Sequence, residues 1–380
     1  MCEAAIYNGV FAALIESLEK ETAASFVGSP FMNYSLHLAA PISVQRICQR
    51  FMLFLFVIGL SSFSAIAFDK APSQEQKEKI RLLIVDGQNN HGTWPKTTAM
   101  MKEYLEQTGR FEVDVKRTRF TSNGGELVEE FSIPGFQTYA TKSPQTDPDF
   151  KPDFSSYDVV LSNFGYGAAP WPEVTRANFE KFVRRGGGFV VVHAADNSFG
   201  DWDAYNKIIG VGGWGGRTPA SGPYVYFDAD GQEQRDTSTG PTGSHGPQHA
   251  FPIVIRQRQH PITRGMPKAW MHARDELYDY LRGPAENMQV LATAFSAKEQ
   301  GGSGNHVPML ITVRYGEGRI FHTPMGHDDK AMQCAGFATS LIRGAEWAAT
   351  GEVTLPIPED FPVEDTVSIR TSHSGKSDDD

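Results

Sequence analysis

Between residues 80 and 193 the apolar positions alternate between short unbroken runs and helical spacing. Arg81-Leu82-Leu83-Ile84-Val85-Asp86-Gly87 is an apolar run ending in a turn and reads as a buried strand. Met100, Met101, Tyr104 and Leu105 predict a helix over residues 95–108, with Pro95 suited to its start. Residues 111–115 alternate as a second strand, and 118–153 look irregular and insertion-like. A further buried strand covers 157–162. A helix follows from about 172 to 185, stopped by Gly186-Gly187-Gly188, and the strand 189–192 runs into His193. Residues 210–246 are rich in Gly, Ser, Thr and Pro and predict a long loop with one short strand at 224–227. Strands follow at 251–256 and 290–294. Residues 309–315 and 318–323 form a hairpin turning at Gly316-Glu317-Gly318, and 337–350 is a closing amphipathic helix.

Continuous apolar strands alternating with helices are covered on both faces. They predict an α/β domain over residues 80–355, an open, doubly wound, mostly parallel sheet with helices on both faces and a β-rich insertion. In such sheets ligands bind beyond the carboxyl ends of the strands, which directs attention to the residues just after each strand.

The N-terminal region reads differently. Arg46 and Arg50 precede an apolar run over residues 51–60, and Ala65-Ile66-Ala67 has the small-x-small form of a cleavage site. This predicts a signal peptide within residues 1–67 and an exported, periplasmic or extracellular protein. The run is shorter than the roughly 20 residues of a membrane span, so no stable membrane anchor is expected after cleavage. Met32 would give a signal peptide of ordinary length and is the expected start. Residues 68–79 read as a linker, and 356–380 as a partly disordered C-terminal tail. Cys2 and Cys48 precede the cleavage point, which leaves Cys334 as the single thiol of the mature chain.

Composition sharpens the choice of partner. A formal net charge of −10 with no offsetting basic cluster disfavours nucleic acid. A chain of 380 residues, 40% hydrophobic, can bury a sizeable core, and a homo-oligomer is compatible with it.

Histidines fall where the sheet argument points. His91 follows the first strand, His193 ends the strand after the glycine triplet, and His327 follows the last strand beside Asp328. His245 lies in the Gly/Pro-rich loop and Glu276 in the run Arg274-Asp275-Glu276-Leu277-Tyr278. Histidine suits acid–base catalysis tuned by a carboxylate, and it also suits a divalent metal. Taken singly, each is as readily a structural residue. The strand-end set makes His193, His327, Glu276 and Asp328 the catalytic candidates and His91, His193, His245 and His327 the candidate metal ligands. No tight ligand spacing such as H-E-x-x-H is present, so the metal stays open at this level. Aromatic and amide side chains around the same loops suggest a sugar-binding rim of His91, Trp94, Asn197, Trp202, Tyr205 and Trp214. His193 stands where some α/β enzymes place a nucleophile, but G-x-S-x-G is absent, as is G-x-G-x-x-G after the first strand. Both covalent serine or cysteine catalysis and a dehydrogenase are disfavoured.

With G-G-G-F-V-V-V-H-A-A-D-N-S-F (186–199), I-I-G-V-G-G-W (208–214), H-P-I-T-R-G-M-P (260–267), D-E-L-Y (275–278) and Y-G-E-G-R-I-F-H-T-P-M-G-H (315–327), the chain resembles the ThuA-like family over residues 80–350. The resemblance implies a flavodoxin-like sheet related to class I glutamine amidotransferases, with the amidotransferase cysteine absent. It implies a link to trehalose utilisation and to disaccharides or their 3-keto derivatives, with His91, His193, Glu276 and His327 as the functional positions. Two places depart from the family pattern: His306 precedes the Val307-Pro308-Met309 run where an acidic residue is expected, and Gly215-Gly216-Arg217 replaces a usual histidine, a role His245 could take over. The expectation is an enzyme that moves a proton beside a keto group of a small carbohydrate, with a divalent metal as a further element. A non-catalytic sugar-binding module is the alternative.

Overall fold

A computed structural model of the chain describes residues 78–371. The signal-peptide segment, Met32, Cys2, Cys48, residues 68–77 and the tail beyond 371 lie outside the described residues. The first strand, β1 (Ile80–Gln88), leads into α1 (Trp94–Gln107) and β2 (Phe111–Ser122). After α2 (Leu127–Glu130) and β3 (Tyr139–Ala140) come β4 (Val159–Ser162), α3 (Glu173–Arg184) and β5 (Gly188–Val192). Next are α4 (Asp203–Ile209), the hairpin β6 (Tyr224–Phe227) and β7 (Glu233–Asp236), then β8 (His249–Ile255), β9 (Ala269–Asp275) and β10 (Met288–Phe295). The hairpin β11 (His306–Tyr315) and β12 (Gly318–Thr323), α5 (Asp329–Met332) and α6 (Ala335–Thr350) close the domain.

The strands form one sheet ordered β3-β2-β1-β4-β5-β12-β11-β10-β8-β9, with β6 and β7 branching from β11. From β3 to β12 the neighbours are parallel; from β12 to β9 they are antiparallel. The sheet is therefore mixed rather than mostly parallel. The switch occurs at the 309–323 hairpin, because a two-residue turn can join only antiparallel strands.

The unbroken apolar runs supply two cores. Leu82 and Ile84 of β1 face Met100, Met101 and Leu105 of α1 and Phe337 and Leu341 of α6. Their neighbours Leu83 and Val85 face Phe179 and Val183 of α3 and Tyr205 and Ile208 of α4. Period-two alternation sends successive side chains to opposite faces, so an all-apolar strand needs helices on both. At the end of β1, Asp86 and Arg117 form a buried two-pronged pair, both oxygens at 2.9 Å.

Several elements depart from the sequence reading. β2 runs seven residues beyond 115, carried past a register shift near Gly87, where a Cβ would meet Thr118 Oγ1 at 2.0 Å. α4, β7 and β9 were not foreseen. β9 is hidden in sequence because His272 and Asp275, two of its inward residues, are polar and pair with each other at 2.8 Å. Helix α6 is buried on almost all sides rather than amphipathic. Its Arg343 is spent on the backbone carbonyls of Pro261, Ile262 and Arg264, and its Glu346 on Thr354 and Leu355. Residues 356–371 return along the domain: Met271 N–H donates to Val363 O, and Arg370 N–H to Gln333 O.

Candidate functional site

The loop after β1 is fixed by asparagines. Asn89 accepts His91 N–H at 2.9 Å and donates to Asn163 O, while Asn163 Nδ2 holds Trp94 O and the Thr97 and Thr98 hydroxyls at the start of α1. These bonds place the half-buried His91 ring over the sheet end. His193 follows β5 at φ +46°, a left-handed conformation costly for a residue with a Cβ. His193 thus occupies a strained turn directly after the strand. His327 follows β12. The three rings converge, with centroids 4.5 Å (His91–His327), 4.9 Å (His91–His193) and 5.4 Å (His193–His327) apart.

Glu276 joins them from the end of β9. Its Oε1 lies 3.2 Å from His327 Nε2; its Oε2 lies 3.7 Å from His193 Nε2 and 3.8 Å from His245 Nε2, and has no hydrogen-bond partner although buried. Burial pushes the Glu276 carboxyl upward, opposed by His327 and His245. Burial, then the neighbouring histidine His327, lowers His91 to about 4; burial and both His91 and His327 hold His193 well below the usual imidazole range. His327 goes the other way: burial opposes its charge, but Asp328 and Glu276 outweigh that and raise it.

Tautomers follow from fixed acceptors. The Pro324 carbonyl can only accept, so His193 Nδ1–H donates to it at 2.8 Å. His193 Nε2 then accepts from the Tyr278 hydroxyl at 2.9 Å, and that phenol oxygen accepts Asn197 Nδ2–H at 3.2 Å. Tyr278 was not among the expected site residues. Its signal was the spacing Glu276-Leu277-Tyr278, which in extended chain puts the two polar side chains on one side.

Asp275 organises the other half. Its carboxylate accepts His272 Nε2–H at 2.8 Å and the backbone N–H groups of Glu276 (2.8 Å), Gly326 (2.7 Å) and His327 (3.1 Å). One buried group therefore sets both the Glu276 strand end and the His327 loop. Burial opposes a charge on His272, but the Cys334 thiol and Asp275 outweigh it and raise it to about 9. A folded-state value above the unfolded 6.5 means a stabilisation fully present below about pH 6.5 and lost as pH rises through about 9. The fall in urea-unfolding stability between pH 7.5 and 10 is expected to exceed that of His272→Gln by about 1–3 kcal/mol. Parallel pH slopes would show that His272 is not held in its charged form by the fold.

A model of the family described as trehalose utilisation, ThuA, matches residues 81–348. The chain belongs to the ThuA family. A ThuA-like protein from Parabacteroides merdae is 43% identical, with a TM-score of 0.68 over 77% of this chain and 98% of that one. A second ThuA-like protein, from Bacteroides uniformis, is 16% identical, with a TM-score of 0.47 over 75% of this chain and 97% of that one. Comparison with curated proteins gives no match.

Within this ThuA chain the expected residues separate into two groups. His91, His193, Glu276 and His327 meet at one point, and His245 reaches it from the rim, its side chain 38% exposed and its Nδ1–H on Gly246 O. Asn197 and Trp214 line an adjoining cleft of about 170 Å³, with Asn90, Tyr166, Glu276 and Tyr278. Asp328 touches His327 Nδ1 at 3.4 Å and also caps α5 by accepting Ala331 N–H. The other aromatic candidates are not at the rim. Trp94 is buried beneath His91, its indole N–H on Ser122 O and its ring under Arg117. Trp202 and Tyr205 pack into the aromatic core with Trp171 and Phe199, and the Tyr205 hydroxyl donates to Ala195 O. Tryptophan and tyrosine near a glycine-rich loop look alike in sequence whether they face the ligand or support the loop. Arg217, at the departure noted above, is buried and donates to Ser198 and Gly213 carbonyls, bracing the loop. His322 is internal, paired with Asp196 at 3.1 Å, and takes no part in the site.

His91, Glu276 and His327 place one ligand atom each within 4.8 Å of one another. Two imidazoles and a carboxylate are a donor set for a divalent transition metal. The fit is supported by the partnerless Glu276 Oε2 and by the Asp328 carboxylate behind His327, which would orient the ring and strengthen it as a ligand. His193 does not fit the set, since both its ring nitrogens are engaged. His91 Nε2 receives the Asn90 amide at 2.9 Å, so coordination through that atom would displace this bond.

Proposed function

We propose that this protein processes a small carbohydrate, a disaccharide or its 3-keto derivative, by proton transfer through Tyr278 and His193 beside the His91–Glu276–His327 cluster. The observation that carries the proposal is this convergence of two histidines and a buried carboxylate with one oxygen unpartnered. The carbohydrate comes from the trehalose-utilisation description of the family and from the exposed Tyr166 ring in the adjoining cleft, which Trp214 also lines. The parallel half of the sheet, which we read as a doubly wound flavodoxin-like unit, holds His91 and His193 at its carboxyl edge, where such folds bind ligands.

In this reading His91, Glu276 and His327 would hold a divalent ion, which as a Lewis acid supplies polarisation of a keto oxygen. The chain's own groups move the proton. Tyr278 borders the cleft and His193 lies behind it. A proton leaving the sugar at Tyr278 Oη is matched by the Tyr278 proton passing to His193 Nε2. The Pro324 carbonyl keeps His193 in the tautomer that can accept it. Export follows from the Arg46–Ala67 pattern and is part of the same proposal.

Trehalose, other disaccharides and their 3-keto derivatives should be incubated with the purified protein and products followed by mass spectrometry. Turnover of a keto-disaccharide is expected, reduced at least about a hundredfold in His327→Ala and strongly by chelator treatment. Sugar binding without product over long incubation would instead favour a binding module. Unchanged turnover in both His193→Ala and His327→Ala would end the catalytic proposal.

A further inference from the structure

We infer that the cleft beside the histidine cluster is a site for one uncharged sugar ring, which donates a hydroxyl proton to Asn197 and lays its C–H face on Tyr166. This rests on the carbohydrate reading above and adds the size, charge and polarity of what binds.

The argument runs along a chain of hydrogen bonds. Pro324 O can only accept, so each successive group has its role fixed: His193 Nε2 accepts, Tyr278 donates to it, and Asn197 Nδ2 donates to the phenol oxygen. That sequence sets the orientation of the Asn197 amide and leaves Oδ1 as its other end. Asn197 is 2% exposed and borders the cleft, yet Oδ1 has no partner. A buried acceptor left unmade costs free energy that a ligand donor recovers. Glu276 Oε2, on the same cleft, is also a buried acceptor without a partner. Two unpaired acceptors call for a ligand rich in O–H donors. A phosphate or carboxylate brings acceptors to both and meets the Glu276 carboxylate besides; of the two histidines that also line the cleft, burial holds His91 neutral and His245 lies 3.8 Å from Glu276 Oε2, which answers it.

Size and surface narrow the class further. A cleft of about 170 Å³ falls short of the roughly 300–1,000 Å³ of pockets for larger ligands. That is room for a single six-membered ring. Tyr166 is 52% exposed, although its backbone N–H is anchored to Asn90 Oδ1 at 2.8 Å. An open aromatic face on a fixed backbone suits the apolar face of a pyranose.

Calorimetric titration of the whole protein with glucose, galactose, their monodeoxy analogues and glucose 6-phosphate tests this. Neutral hexose binding is expected, weakened about tenfold by Asn197→Ala and about fivefold by Tyr166→Ala. One monodeoxy analogue should lose as much affinity for the wild type as Asn197→Ala loses for the parent sugar, and lose nothing further in that variant. This coupling would not arise if Asn197 only supported the loop. Should Asn197→Ala fail to fold, the exposed Tyr166→Ala carries the test. Hexose binding that ignores both substitutions, or glucose 6-phosphate binding as tightly as glucose, overturns the inference while leaving the carbohydrate reading intact. Binding of no sugar, disaccharides included, overturns that reading and the inference with it.

Discussion

Asp275→Ala is expected to lower the unfolding free energy by about 3–5 kcal/mol, the range for removing one partner from a buried charged pair. The carboxylate is 1% exposed and receives four donors: the His272 ring and the backbone N–H groups of Glu276, Gly326 and His327. Alanine leaves all four in a dry environment, with the imidazolium of His272 uncompensated. Asp275→Asn keeps an acceptor oxygen and should lose less. Urea denaturation of the two variants against the wild type measures both values. A loss below about 1 kcal/mol for alanine, within the range of an ordinary substitution, would mean that water or a neighbouring group replaces the carboxylate. Because Asp275 grips the strand end before Glu276 and the loop before His327, a folded Asp275 variant should also lose the site.

Glu276→Gln is expected to separate activity from stability. On whichever keto-sugar the wild type turns over, the variant should lose at least about a hundredfold in turnover. It should also fail to retain a divalent ion that the wild type retains after dialysis. Its unfolding free energy should be unchanged or higher by about 0.5–2 kcal/mol, as for other relieved functional sites. The reason is visible in the environment. Burial disfavours the charged carboxylate, Oε2 has no hydrogen-bond partner, and the three histidines near it are arranged around a charge that the fold does not need. A neutral amide of the same shape removes that desolvation cost. Full activity in Glu276→Gln, or a loss of stability comparable with that of Asp275→Ala, would show Glu276 to be a structural member of the Asp275 network instead.

These two neighbouring carboxylates show how far the sequence could be read. Both lie in one short acidic run, and composition does not distinguish them. Asp275 is the last residue of β9 and points into the protein; Glu276 is the first beyond it and points toward the histidines. The strand itself was not legible, because its buried positions do not alternate and two of them, His272 and Asp275, are polar residues that pair with each other. The same reasoning covers α6, where Arg343 and Glu346 look like a solvated face but are buried against backbone groups. Polar residues are read as exposed unless their partners are known, and the partners are distant in sequence.

By itself the sequence determined the α/β class, most of the elements from β1 to β5, the closing hairpin, and the placing of His91, His193 and His327 at strand ends. Each follows from local periodicity and from the rule that parallel strands present their carboxyl ends to ligands. Tertiary structure alone decided the rest. It showed where the sheet turns antiparallel, and that Tyr278 stands beside His193. It brought Glu276 between the histidines and sent Trp202 and Tyr205 into the core while leaving Tyr166 exposed and Trp214 lining the cleft. The physical reason is the range of the interactions. Strand and helix formation are written in neighbours a few residues apart, whereas the site is assembled by hydrogen bonds between residues such as Asp275 and His327, or His193 and Tyr278, separated by 52 and 85 positions.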